Sequence, residues 1–157
     1  MEKLNFSVCE ISDSIENLIA EGATVPLCIS GSSMNPFLIS RRDIVYLRLH
    51  TEKDLKKGSI LLFKRSDGSL VLHRVKKICS DGSLLICGDA QTECENIGIS
   101  QVVAVVAEIE RKGIKRSTDS FYWKTVNTLW QILCPVRSPL MRLWFKIRRI
   151  RNKKQPE

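Results

Sequence analysis

The sequence lacks the features that would assign it at once to a membrane-spanning, metal-binding or disulfide-bonded class of protein. It has no apolar run close to the roughly 20 residues that a helix needs to cross a bilayer. Its six cysteines form no CxxC pair, the spacing typical of zinc and redox sites, so we expect no metal and no other cofactor. Most of these cysteines lie in apolar runs, where a free cysteine behaves as a small hydrophobic residue.

The first residues show no pattern of a secretory signal. Residues 1–5 lead into a polar, amphipathic stretch and not into the apolar core of a signal peptide. Cysteines without a disulfide pattern also favour a reducing compartment. We therefore expect a cytoplasmic protein, with peripheral binding at the inner face of the membrane as an alternative location.

The positive charge is concentrated at the end of the chain. The formal net charge is +8, yet the first 110 residues hold twelve basic and fifteen acidic residues. From Arg111 onward there are thirteen basic residues and only two acidic ones. Such an asymmetry predicts an anionic partner, either a membrane surface or a nucleic acid.

Two helices are predicted in this basic segment, over residues 121–133 and 140–150, separated by prolines at 135 and 139. The second helix would be amphipathic, with apolar residues on one face and basic residues on the other. Tryptophans at 123, 130 and 144 favour an anionic membrane interface. Alternatively, the helices cover an exposed edge of the domain and the basic residues are solvated. We do not expect a nucleic-acid partner, because no nucleic-acid-binding fold accompanies the segment.

The rest of the chain predicts a mainly β fold. A short amphipathic helix is expected after Ser7, which with Glu10 has the spacing of a capping box, and it ends near Gly22. Runs rich in valine, isoleucine and leucine then predict strands over 24–30, 43–49, 59–64, 70–79, 83–87 and 102–110. Turn sequences SDG at 66–68 and 80–82 flank the fourth strand.

These elements favour a curved antiparallel sheet or a partly open barrel. We expect the N-terminal helix (1–23) to pack on the β domain (24–112), followed by the basic helical tail (113–157). A length of 157 residues predicts one domain, or one domain with an appendage.

Two residue types in this β domain suggest chemistry. The sequence GSSMNP at 31–36 follows a predicted strand, and its serines either belong to a simple turn or present a hydroxyl nucleophile. His73 lies within the predicted strand LVLHRV, on one face with Val71 and Val75. It is either a core histidine bonded to a carbonyl or a neutral imidazole that acts as a general base. The other histidine, His50, is expected at the surface.

Three ordered blocks resemble the signal peptidase and SOS-repressor autoprotease superfamily of serine peptidases. GSSMNP at 31–36 resembles its nucleophile box, and GSILLF at 58–63 followed by VLHRV at 71–75 resembles the strands that carry its catalytic base. Gly88-Asp89 resembles its third block. Because the base position is a histidine within HRV, the chain is similar to the endoplasmic-reticulum and archaeal branch, whereas most bacterial signal peptidases and the repressors use lysine there.

The resemblance implies a Ser33–His73 dyad in a serine endopeptidase that cleaves a peptide or protein precursor with small residues before the cut, such as a leader. Asp89 would orient the imidazole or act as a structural partner near the site. The oxyanion region would include Ser32 and the backbone of Ser33, because Gly31 stands where many signal peptidases carry a hydroxyl residue. Arg74 is expected to pair with a carboxylate.

Other functions stay open at this point. The sequence shows no membrane anchor of the signal peptidase kind. A self-cleaving regulator of the repressor type would need a DNA-binding module, and only 23 residues precede the first predicted strand. A catalytically silent binding module, with a basic tail that binds a membrane or nucleic acid, is the remaining alternative.

Overall fold

Branched aliphatic residues form the strands where the sequence predicts them. In the computed structural model, which describes residues 8–132, the six predicted strands are confirmed to within two residues at each end. The elements are α1 (Val8–Ala20), β1 (Val25–Cys28), β2 (Asp43–Arg48), β3 (Ile60–Lys64), β4 (Leu70–Ile78), β5 (Leu84–Cys87), β6 (Cys94–Ile97), β7 (Val102–Arg111), β8 (Ile114–Ser117) and α2 (Phe121–Ile132). The predicted helix 140–150 and the capping residue Ser7 lie outside the described residues.

The strands pair into one antiparallel sheet that is not closed into a barrel. Their order is β1-β2-β7-β3-β4-β5-β6, and β8 pairs with β7. The mainly β, antiparallel fold with a short N-terminal helix is therefore confirmed. Strand β1 pairs only with β2 and strand β6 only with β5 among the described elements, so each leaves one edge without a partner strand.

Two strands were not predicted from the sequence. Strand β6 (CENI) has few strand-forming residues, and every residue of β8 (IKRS) is exposed. A hairpin joins β8 to β7 through Lys112 and Gly113, whose positive φ values of 54° and 75° suit a two-residue turn. The sheet consequently runs past residue 112, where the sequence predicts the β domain to end.

Each face of the sheet carries its own apolar cluster. Ile60 and Leu62 of β3 point to the cluster that includes both helices, while Leu61 and Phe63 point to a second cluster on the opposite face. Helix α1 contributes Ile15 and Ile19 to the first of these. Leu18, which the sequence pattern places on the same face of α1, is 46% exposed. The alternation along β3 thus assigns its own side chains to the two faces of the sheet in turn.

Neither helix provides a membrane crossing. Within residues 8–132, no helix has both the length and the apolar character that spanning a bilayer demands.

Truncation of Leu62 should test the first cluster. Because this side chain is 2% exposed and packs between the sheet and the helices, Leu62→Ala should cost about 2–5 kcal/mol of the free energy of unfolding. Leu49→Ala is the matched control, since Leu49 is 48% exposed and its loss should change stability by about 0.5 kcal/mol or less. Urea denaturation measures both, and equal losses would contradict the packing described above.

Candidate active site

Ser33 lies in the loop that follows β1 and is anchored from both sides. Ile29 before it and Met34 after it are buried in the first cluster. The amide of Leu38 donates to the carbonyl of Met34 at 2.8 Å, which closes the turn. With its neighbours held in the core, Ser33 stays half-buried and within reach of solvent.

The backbone explains why position 31 has no hydroxyl. Gly31 adopts a φ of +82° in open space, a conformation in which any side chain would be strained. Ser32 is exposed, and its carbonyl accepts the amide of Asn35 at 3.1 Å. In the described part of the chain no group accepts a hydrogen bond from the amide of Ser33. That amide is therefore available to an oxyanion.

His73 is a buried imidazole in the middle of β4. It is 2% exposed, and its ring centroid lies 5.9 Å from that of Phe63. Val71 and Val75 belong to the same cluster, which confirms the predicted face. Burial lowers the pKa of His73 below its usual value, so the neutral form, which can accept a proton, predominates at pH 7.

The carboxylate beside His73 is Glu95, which the sequence interpretation missed. Glu95 Oε1 lies 3.4 Å from His73 Nδ1, and among the described residues no other carboxylate is within 4 Å of this imidazole. Arg65 holds Glu95, with Nε donating to Oε2 at 2.7 Å. This hydrogen bond lowers the pKa of Glu95 and keeps it ionised. Nδ1 has no hydrogen-bond partner among the described residues, so Glu95 acts on the ring through its charge. This negative charge favours the tautomer with the proton on Nδ1, which leaves Nε2 as the nitrogen that can accept a proton.

Gly88 packs against the loop of Ser33 at the end of the β4–β5 ladder. The last residue pair of that ladder is Arg74–Cys87, so His73 and Gly88 are each the chain neighbour of a paired residue. The amide of Ala90 donates to the carbonyl of Ser33 at 2.7 Å. A Cβ atom on Gly88 would lie 2.7 Å from that same carbonyl oxygen, so only glycine permits this approach. Gly88 therefore contacts the Ser33 loop and lies one residue beyond the strand that pairs with β4.

The hydroxyl of Ser33 and the imidazole of His73 do not form a hydrogen bond in this structure. The described residues include none that bonds to the Ser33 hydroxyl. Such bonds are often long in a free enzyme and shorten when substrate binds. Nor do the described residues contain a group of His, Cys, Asp or Glu side chains placed to hold a metal ion.

Asp89 is a structural partner and not the orienter of the imidazole. It is fully buried and accepts hydrogen bonds from Arg74 Nε at 2.9 Å and Arg74 Nη2 at 2.7 Å. Arg74 follows His73 in β4 and so points to the opposite face of the sheet. The expectation that Arg74 pairs with a carboxylate is thereby confirmed, and the acid next to His73 is Glu95.

Helix α2 closes over this ion pair. Trp130 Nε1 donates to Asp89 Oδ1 at 2.9 Å, and Arg74 Nη1 donates to Asn127 Oδ1 at 2.7 Å. The Arg74 guanidinium also stacks 4.1 Å from the centre of the Phe37 ring. The predicted tail thus contributes side chains directly beneath the residues that flank the site.

A signal for Glu95 is present in the sequence, although it is weak. Glu95 and Ile97 alternate with Cys94 and Asn96, so they share one face of a strand. Ile97 is 4% exposed, which turns Glu95 toward the second cluster and the imidazole. Four residues with two polar side chains are too few to be recognised as a strand without its partner.

The pKa of His73 can be measured, because the chain has only two histidines and their NMR signals are separable. Burial lowers this pKa, Glu95 raises it, Arg65 lowers it and Asp89 raises it. Glu95→Gln removes an opposing charge, so the pKa should fall further. Glu93→Gln, in the exposed loop before β6, should leave it unchanged. A rise in Glu95→Gln would contradict the contact between Glu95 and His73.

The lowered pKa of His73 also makes the free energy of unfolding depend on pH, and the sign of this dependence follows from proton binding. Between the lowered pKa of folded His73 and about 6.5, the unfolded chain binds more protons than the folded one. The stabilisation by neutral His73 is therefore complete above that range and is lost as the pH falls through it. His73→Gln should remove this part of the pH dependence of unfolding.

Asp89→Asn should lower the free energy of unfolding, because it leaves the Arg74 charge buried without its carboxylate partner. Breaking a buried ion pair by removing one member costs about 3–5 kcal/mol. Asp119→Asn is the matched control, because Asp119 pairs with Lys124 in solvent and its loss should not be measurable. Urea denaturation compares the two, and equal stability of both variants would mean that the buried pair does not hold the fold.

The comparisons with known proteins found no relative of this chain. The chain matches no protein-family model, no curated protein and no solved structure. The resemblance of the three sequence blocks therefore stays a prediction, and the case for an activity depends on the geometry of Ser33, His73 and Glu95.

Proposed function

We propose that the chain is a serine endopeptidase of the signal-peptidase-like type that cleaves an extended peptide or protein precursor. The observation that supports this best is the position of Gly88. Its backbone packs on the carbonyl of Ser33, and it follows Cys87, which pairs with Arg74, the chain neighbour of the buried His73. This contact supports a site in which Ser33 is the nucleophile, His73 the base and Glu95 the acid beside it.

In the proposed reaction, Ser33 Oγ attacks the scissile carbonyl while His73 Nε2 takes its proton. The same proton then passes to the leaving amine as the peptide bond breaks, and the acyl group stays on Ser33. A water molecule, deprotonated by His73, attacks the ester and releases the acid product. Ser33 regains its proton from His73, so no group is consumed apart from one water.

Two further groups support these steps. The charge of Glu95, 3.4 Å from Nδ1, would stabilise the imidazolium that forms during each proton transfer. The amide of Ser33 would donate to the oxyanion, and removal of one such donor typically costs about 2.7–4 kcal/mol of transition-state stabilisation. Gly31 gives the loop the backbone conformation from which this amide is presented.

The substrate would lie along the free edge of β1. Extended peptides add to unpaired strand edges through backbone hydrogen bonds, and β1 leads directly into the loop of Ser33. An apolar cavity of about 340 Å³ opens beside this edge, between β1 and the β3–β4 turn, where it could take an aliphatic side chain before the cut. Its walls include Ile15, Leu27, Ile29, Leu62, Leu70 and Leu72.

Cleavage of a peptide library tests the proposal. The library places alanine directly before the cut and leucine at upstream positions, and mass spectrometry identifies the products. Ser33→Ala and His73→Gln should each reduce cleavage by roughly 10⁴-fold or more, since the members of such a site act as a unit. Ser32→Ala is the matched comparison at the adjacent exposed serine: it should retain most of the activity if the backbone alone holds the oxyanion, and lose part of it if the Ser32 hydroxyl compensates for Gly31.

The outcomes separate the alternatives. Cleavage by Ser33→Ala at the wild-type rate would disprove the assigned nucleophile. Loss in Ser32→Ala but not in Ser33→Ala would move the nucleophile by one residue. Peptides that bind to the wild type and remain uncut would support the silent binding module.

A further inference from the structure

Helix α2 exposes an apolar face to solvent. Phe121 is 87% exposed, Leu129 54% and Ile132 67%. Positions 121, 125, 128, 129 and 132 share one side of the helix at helical spacing, and the threonines among them are also exposed. Exposed side chains of this size, grouped on one side of a helix, mark an interaction surface more often than a solvated one.

The opposite face of α2 is already occupied, so the helix cannot turn its apolar side inward. Trp123 is 4% exposed and packs against Phe37 at 5.1 Å between ring centroids. Asn127 and Trp130 bind the Arg74–Asp89 pair. The exposed face must therefore be covered by something outside residues 8–132 or stay in water.

A basic hairpin lies beside this face. Arg116 of β8 stacks over the ring of Tyr122 at 4.9 Å, which places the β7–β8 hairpin next to the start of α2. At the hairpin tip Lys112 is exposed, and Ile114 is 57% exposed. Residues 108–132 contain five basic and three acidic residues, and Arg111, Lys115 and Lys124 pair with Asp43, Glu108 and Asp119. Lys112 and Arg116 have no carboxylate partner among the described residues. Apolar side chains surrounded by cations are typical of surfaces that lie in an anionic membrane interface.

We propose that the outward face of α2 and the β7–β8 hairpin together bind the surface of an anionic lipid bilayer. Charge decides between this partner and two others. Residues 133–157 carry eight basic residues and one acidic residue, so they would meet like charge if they folded back over the surface. A second copy of the chain would bring its own Lys112 and Arg116 against the same two cations. An anionic bilayer instead neutralises these two cations and accepts the apolar face.

The proposal does not depend on peptidase activity, because binding is measured without a substrate. A photoreactive side chain shows directly what covers α2. The full-length chain carrying Phe121→p-benzoylphenylalanine is irradiated with vesicles of equal parts phosphatidylcholine and phosphatidylglycerol, and mass spectrometry identifies the adducts. Ile99→p-benzoylphenylalanine is the matched control, since Ile99 is 47% exposed at the other end of β7 from the hairpin.

The expected result is an acyl-chain adduct at position 121, far less of it with pure phosphatidylcholine, and none at position 99. Four outcomes would overturn the proposal. One is an adduct from position 121 to residues 133–157, and another is an adduct to a second copy of the chain. The third is equal lipid labelling at positions 121 and 99. The fourth is an absence of lipid labelling at 121, whether or not the protein sediments with the vesicles.

A second measurement separates the α2 face from the basic residues that follow it. Phe121→Ser with Leu129→Ser removes apolar side chains that are 87% and 54% exposed, so the fold should be kept, and circular dichroism checks this. Partitioning onto the same vesicles should fall by about tenfold, in proportion to the apolar area that no longer enters the interface. Ile99→Ser should bind like the wild type. Unchanged partitioning of the double variant would show that the face lies outside the bilayer.

Discussion

The buried ion pair between Arg74 and Asp89 connects the parts of the molecule that form the candidate site. Arg74 belongs to β4, directly after the candidate base, and Asp89 follows the glycine that packs on the nucleophile loop. Helix α2 binds both members of the pair through Asn127 and Trp130. Loss of this pair would therefore loosen the histidine strand, the Gly88 turn and the last helix together.

An ion pair at this position fixes geometry more than it adds stability. Moving both charges out of water costs about as much as their attraction returns, and apolar residues of equal volume often serve stability as well. The pair fixes the relative orientation of the two side chains, because guanidinium and carboxylate meet in a planar, two-point contact. We infer that this contact sets the separation between β4 and the loop after β5, and hence the approach of Ser33 to His73.

The sequence predicts the structural features that depend on a local residue pattern. It misses those that depend on pairing between residues far apart in the chain. Aliphatic runs located six strands, and alternation placed His73 correctly beside Val75. Strand β6 and the role of Glu95 were not found, since Glu95 is held by Arg65 from 30 residues away. The resemblance of Gly88-Asp89 to the third block implies an orienter or a structural partner and does not decide between them, because the donor Trp130 lies 41 residues further along the chain.

The alternation of side chains along β4 places the candidate base on one face of the sheet and the buried ion pair on the other. His73 and Arg74 are adjacent, so they must point to opposite faces. One face holds the imidazole in an apolar cluster, where burial keeps it neutral. The other holds the charged pair beneath α2, where Asp89 keeps the neighbouring cation compensated. A carboxylate that shared the face of His73 at full strength would favour the imidazolium and weaken the base. Asp89 belongs to the ion pair on the opposite face from His73, and Arg65 partly neutralises Glu95. His73 can therefore stay neutral although two acids lie in this part of the molecule.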